Sequence, residues 1–209
     1  MRLRNIAGAN EKIINSKYII LDYKSLKGNY QSVFSNNNPI HLEIGMGRGK
    51  FIIENAKRYP DINFIGIERF DSVIVRALDK LEEEDIPNLK LIRVDATEIG
   101  EVFEKEIETL YLNFSDPWPK IRHTNRRLSS KIFLERYDNI FKDLKRIVMK
   151  TDNRHLFEFS VCQFTAYGYR IEELILDLYS EDISLNIPTE YEDKFHNKGQ
   201  AIYKIEVQK

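Results

Sequence analysis

Glu43, Glu68, Asp95 and Asp116 stand at equivalent points of the chain. Each lies at or just past the end of an apolar run of strand length: Ile40–Ile44, Asn63–Ile67, Leu89–Val94 and Thr109–Phe114. If those runs lie parallel in one sheet, their carboxyl ends share an edge, and ligands of open parallel sheets bind outside that edge near the switch in strand order. Carboxylates gathered there would accept hydrogen bonds from hydroxyl and amino donors and would favour a ligand carrying positive charge. Any one of them could equally be a strand-end residue capping the next helix. Glu43, Glu68 and Asp95 together are harder to explain that way.

The first acid is followed by a glycine turn, Gly45-Met46-Gly47-Arg48-Gly49. Glycines here let the backbone take positive φ and approach a ligand closely. The dinucleotide fingerprint is G-x-G-x-x-G, whereas this turn is G-x-G-x-G with Glu43 two residues before its first glycine. A pyrophosphate gains nothing from that carboxylate, while a cationic nucleoside does. On this reading Glu68 is placed for ribose hydroxyls, and Asp95 for an adenine amino group. The turn and its acids resemble those of the Rossmann-like S-adenosylmethionine methyltransferases.

The fourth run leads into Asn113-Phe114-Ser115-Asp116-Pro117-Trp118-Pro119-Lys120. Two prolines keep this loop out of helix, and Trp118 presents a large flat surface between them. Behind it come Lys120, Arg122, His123, Arg126, Arg127 and Lys131, with no acid from Pro117 to Leu134. Exposed surfaces usually mix their signs, so a one-sign stretch beside a candidate site suits contact with phosphates. It is the more telling because the whole chain is nearly neutral, with 33 acidic and 32 basic residues.

The elements that must position these groups follow from periodicity. Strand-like runs alternate with helical patterns over Asp71–Glu84, through Phe133, Leu134, Tyr137 and Phe141, and over Arg154–Ala166, with a fifth strand at Arg146–Lys150. Repeated β-α units imply an α/β fold, doubly wound around a mostly parallel seven-stranded sheet with helices on both faces. Ile171–Leu178 and Ala201–Val207 read as an antiparallel hairpin at the C-terminal edge. A length of 209 residues suits one domain, residues 1–209, with 1–39 as an extension packing on or flanking the core. Cys162 is the only cysteine and the four histidines are scattered, so no metal site is expected. There is neither a signal-like N-terminus nor an apolar stretch of membrane length, so a cytoplasmic protein is expected, either monomeric or a homodimer.

Taken in order, Met1-Arg2-Leu3-Arg4-Asn5, Glu-Ile-Gly-x-Gly-x-Gly, Gly-Ile-Glu, Asp-Ala, Asn-Phe-x-Asp-Pro-Trp-Pro-Lys, Lys150-Thr151-Asp152-Asn153 and Thr189-Glu190-Tyr191-Glu192 resemble the bacterial tRNA (guanine-N7)-methyltransferases. The resemblance implies S-adenosylmethionine as cofactor and a guanine in the tRNA variable loop as target. It carries cofactor contacts onto Glu43, Gly45, Gly47, Gly49, Glu68, Asp95, Ala96 and Asp116. Substrate contacts fall on Lys120, Asp152, Thr189, Glu190, Tyr191 and Glu192, and RNA contacts on Arg122, His123, Arg126 and Arg127. Asp116 becomes the candidate catalytic residue. The family's Pro-Gly-Gly turn before the fifth strand is absent here, where the chain reads Phe141-Lys142-Asp143-Leu144-Lys145-Arg146-Ile147. Guanine N7 bears no proton, so the missing His or Cys base suits this chemistry. The alternatives are an amino-methyltransferase on DNA or protein, a nicotinamide-dependent oxidoreductase, and a non-catalytic RNA-binding module on the same fold.

Overall fold

The computed structural model describes residues 6–209; the Met1–Asn5 motif lies outside them. In chain order the elements are α1 (Ala9–Ile14), α2 (Gln31–Phe34), β1 (Ile40–Ile44), α3 (Lys50–Arg58), β2 (Asn63–Glu68), α4 (Asp71–Leu81), β3 (Leu89–Arg93), α5 (Ile99–Val102) and β4 (Ile107–Asn113). There follow α6 (Lys131–Tyr137), β5 (Phe141–Thr151), α7 (Arg154–Ala166), β6 (Arg170–Ile175), α8 (Glu190–His196) and β7 (Tyr203–Gln208). The strands form one seven-stranded sheet in the order β3-β2-β1-β4-β5-β7-β6. The five inner and left-hand strands are parallel, and β7 lies antiparallel to both β5 and β6. The last strand is thus inserted inside the edge, and β6 is the edge itself.

Alternation along the strands sends side chains to two apolar layers. Ile65 and Ile67 of β2 join a core with α6 and α7, whereas Phe64 joins Ile52 of α3 and Ile74 and Leu78 of α4 on the other face. Period-two alternation is what a sheet covered on both faces requires. Residues before β1 close this second layer: Ile13 of α1 is buried against α4, and the Tyr18 hydroxyl donates to the carbonyl of Glu84 at 2.6 Å. No described helix is long and apolar enough to cross a membrane.

Three elements differ from expectation. Phe141 does not continue the helix of Phe133 and Tyr137; α6 stops at Tyr137 and Phe141 opens β5, paired with Ile107. The shortened turn is taken up as a bulge, because Arg146 is the next β5 residue in register, opposite Thr109. The polar stretch after Pro188 is a helix rather than a loop. Thr189 caps α8, its hydroxyl accepting from the N–H of Glu192 at 2.9 Å, while the Glu192 carboxylate accepts from the N–H of Thr189. This reciprocal pair satisfies two donors that a helix start otherwise leaves unpaired.

β1 and β4 are neighbours whose onward connections run to opposite sides of the sheet, through α3 to β2 and through α6 to β5. A crevice opens at that switch, above their carboxyl ends.

Candidate active site

The crevice is a cavity of about 590 Å³. Gly45, Glu68, Asp95, Ala96, Asp116 and Trp118 all line it, so β1, β2, β3 and the loop after β4 meet there. Gly45 has φ 74° and its N–H donates to the Ile67 carbonyl at 2.9 Å, folding the turn over β2. Nothing lies within 4 Å of where its Cβ would be, so only the backbone conformation demands glycine there. At Gly49 (φ 79°) space matters too: a Cβ would sit 3.0 Å from that of Ala77, because the start of α3 abuts α4.

Glu43 lies beneath the cavity floor, 2% exposed. One carboxylate oxygen accepts from the Asn113 side-chain amide at 2.8 Å; Asn113 itself lines the cavity. The other carboxylate oxygen and the Asn113 amide oxygen are buried without a partner. Burial pushes the Glu43 carboxyl up to about 7, against the pull of Asn113 and Lys150. Two unpaired buried acceptors side by side are costly unless a donor arrives, and a cationic donor serves both best.

Glu68 accepts from the N–H groups of Arg69 and Phe70 at 2.8 and 3.1 Å, and burial raises its carboxyl. Asp95 caps the short 3-10 turn Ala96–Glu98 through Thr97, whose N–H and hydroxyl donate at 2.9 and 2.8 Å, and Arg69 reaches it at 3.3 Å. Burial alone would raise the Asp95 carboxyl; Thr97 and Arg69 outweigh it and hold it below its ordinary value. The capping role and the cavity position coexist in this one residue.

The loop after β4 is held by its backbone. Phe114 and Trp118 both take positive φ, 50° and 41°, which costs a non-glycine residue roughly 1–2 kcal/mol. Arg127 supports this shape: its guanidinium donates to the carbonyls of Pro117 and Trp118 at 2.9 and 3.2 Å and packs on the Phe159 ring at 4.3 Å. Arg127 is 8% exposed, whereas Lys120, Arg122 and Arg126 are exposed and His123 half-buried. In placement Arg127 is therefore a support of the loop, and the basic stretch divides there. Arg126 lies over the Trp118 ring at 4.9 Å, and His123 meets it edge-on at 5.7 Å.

Trp118 is the only tryptophan, so its emission reports on this loop alone. Arg127→Ala is expected to shift that emission and increase its quenching by acrylamide. Losing hydrogen bonds from a charged donor should also lower stability by about 1.5–3 kcal/mol in urea unfolding. Unchanged emission and quenching would remove the supporting role.

The segments from β5 and α8 reach the same edge. Tyr191 packs against Phe114 at a tilt of 40° with ring centroids 5.2 Å apart, and its phenol is raised by burial and by the nearby carboxylates of Asp152 and Asp116. Burial also raises Asp152. Glu190 is paired with Lys80. Glu192 is fully buried, accepting from the Lys150 ammonium at 2.6 Å. Its other oxygen accepts from Asn186 at 2.7 Å and from the Tyr179 hydroxyl at 3.3 Å. Thr189 is also buried, as the cap. Of the four residues Thr189–Glu192, Tyr191 alone is exposed beside Asp116. Asn113, Arg69 and Lys150 were not singled out by their types: Asn113 and Arg69 line the cavity, and Lys150 braces α8 from β5.

Known proteins resemble this chain over most of its length. A family model described as "Putative methyltransferase" matches residues 37–205. A tRNA (guanine-N(7)-)-methyltransferase of Streptococcus suis is 47% identical over 100% of this chain and 99% of its own. One of a Geobacillus species is 50% identical over 99% of this chain and 95% of its own. Among solved structures, an antibiotic-related methyltransferase superposes with a TM-score of 0.67 at 12% identity, covering 91% of this chain and 96% of its own. A SAM-dependent methyltransferase from Aquifex aeolicus gives 0.57 at 11% identity, with 98% of each chain covered. At such identities the two structures speak for the fold. The matches along the full length speak for more, and the chain belongs to the tRNA (guanine-N7)-methyltransferase family.

Proposed function

We propose that this chain transfers a methyl group from S-adenosylmethionine to N7 of a guanine in the variable loop of tRNA. The observation that carries the reading is the pair of unpaired buried acceptors, Glu43 and Asn113, under a cavity whose rim bears Asp116, Trp118 and an exposed cationic stretch. The names of the relatives agree with it.

S-adenosylmethionine supplies a methyl on a positively charged sulfur, ready for direct displacement. The chain's residues fit its two ends. Glu43 and Asn113 would accept from the ammonium of its amino-acid part. Glu68 has one oxygen outside its backbone hydrogen bonds for ribose hydroxyls, and Asp95 beside Ala96 faces the same cavity for the adenine edge. Trp118, Tyr191 and Phe114 offer flat surfaces to a base, and Asp116 and Asp152 offer acceptors to its N–H edge. Guanine N7 already carries an in-plane lone pair, so no side chain has to remove a proton. Rate then comes from positioning and from acceptors whose hold tightens as the purine becomes positive.

The decisive experiment is incubation with unmodified tRNA and methyl-labelled cofactor, followed by chemical cleavage at 7-methylguanosine. Label in a single cleavable guanosine is expected. Label elsewhere, or none, would overturn the reading.

Glu43 adds a pH dependence. With its carboxyl raised to about 7, the chain without cofactor holds a proton there below about pH 7, which a cationic ligand must expel. Cofactor affinity should therefore rise with pH up to about 7 and level off above it, by at most tenfold per unit. Calorimetry at pH 6 in buffers of different ionisation enthalpy should detect the released proton. A flat profile, or one that falls, would separate Glu43 from the ammonium.

A further inference from the structure

By sequence, α8 looks acidic: Glu190, Glu192 and Asp193 crowd its first turn. The structure neutralises all three from elsewhere in the fold. Glu190 pairs with Lys80, Glu192 with Lys150 and Asp193 with Lys50. What remains on the outer side is Lys194 and, just past the helix, Lys198, both exposed and neither in an ion pair among the described residues. Each stands over the ring of Phe195, at 5.5 and 5.1 Å. Phe195 in turn stacks on Tyr191 with centroids 4.2 Å apart and planes 20° from parallel, and Tyr191 meets Phe114 at a tilt of 40°. A chain of aromatic contacts thus links Phe114, in the loop of Asp116, to two ammonium groups that have no acidic partner among the described residues.

The rings are spent on one another and on the lysines, so they fix the two ammonium groups in place, and uncompensated cations so placed meet the phosphates of a single-stranded nucleic acid. We propose that Lys194 and Lys198, held over the Tyr191–Phe195 stack, are a second RNA-binding surface that meets phosphates. It takes the phosphates of the unpaired nucleotides next to the target guanine. The proposal rests on the RNA-substrate reading above, and extends it to Lys194 and Lys198, which that reading does not use. A target base that must leave its stack also needs its neighbours held while it is out.

The test is equilibrium binding of unmodified tRNA at several salt concentrations, with Lys194→Ala/Lys198→Ala compared to wild type. Each phosphate contact contributes roughly 0.7–0.9 to the slope of log affinity against log salt. The double variant should weaken binding and flatten the slope by roughly 1.4–1.8. Both lysines are exposed and unpaired, and a wild-type melting curve would certify the fold. Lys194→Gln/Lys198→Gln should give the same flattening, because charge rather than side-chain length is at stake. Slope and affinity equal to wild type in both variants would overturn the proposal. Failure here and failure of the parent reading stay distinct. If wild type yields 7-methylguanosine in tRNA and the slopes coincide, only the second surface falls. If no 7-methylguanosine forms, the parent reading falls whatever the slopes do.

Discussion

Glu192→Ala should be among the most destabilising substitutions in the chain, costing about 3–5 kcal/mol in urea unfolding, because it strands the Lys150 ammonium in the interior. Lys150 is 3% exposed and its three donors are all used, on Glu192, the Asn186 side chain and the Ile187 carbonyl. Glu192 is matched in turn by Lys150, Asn186, Tyr179 and the N–H of Thr189. The network ties β5, the 179–187 segment and α8 into one unit, and α8 is what carries Tyr191 to the edge beside Asp116. A buried pair stabilises little in net terms, but removing one member exposes the full desolvation cost of the other. Lys150→Met combined with Glu192→Leu should therefore recover much of the loss, whereas independent roles would make the two costs add. The double variant should remain poor in turnover on tRNA, since the apolar pair restores packing without the contacts to Asn186 and Tyr179 that set the position of α8. If Glu192→Ala unfolds at the wild-type midpoint, the brace is not a brace.

The acids and glycines were legible because a parallel sheet converts sequence position into spatial position. An acid at the end of each buried run has to reach the same edge, and Glu68, Asp95 and Asp116 do line one cavity. Burial was less legible. Arg126 and Arg127 are the same residue type one position apart, yet one lies over Trp118 and the other reaches under it to two carbonyls. Charge counts cannot separate them, because what distinguishes them is the path of the loop. The helix α8 did carry a signal: Thr189 followed three residues later by Glu192 is the capping-box pattern, and it lay within a motif read for substrate contact. Phe141 misled by spacing alone, four residues past Tyr137, although Asp138 and Asn139 between them are turn formers. Asn113 was hidden as well, since its partner Glu43 lies 70 residues away and only the pairing of β1 with β4 brings them together.

Asp116→Ala should lower turnover on tRNA by roughly 10–150-fold, the equivalent of one charge-assisted hydrogen bond of about 1.5–3 kcal/mol felt in the transition state. Asp116 is exposed at the rim, next to Trp118 and within the field that raises Tyr191. In the proposed reaction positive charge passes from sulfur into the purine, and the guanine N1–H and amino hydrogens become stronger donors. A carboxylate that accepts from them gains most at the moment the charge arrives, and only such a differential gain accelerates the step. Asp116→Asn keeps size and one acceptor but not the charge, so it should fall between wild type and alanine. The loss should appear in kcat rather than in the cofactor's Kd, apart from a modest change, since Glu43, Glu68 and Asp95 are untouched. The pH profile of the remaining turnover should also lack any limb from a general base, because N7 has no proton to give up. Turnover undiminished in the alanine variant would take Asp116 out of the reaction. A fall confined to cofactor affinity would make it a cofactor ligand and leave the stabilising acceptor to be sought at Asp152.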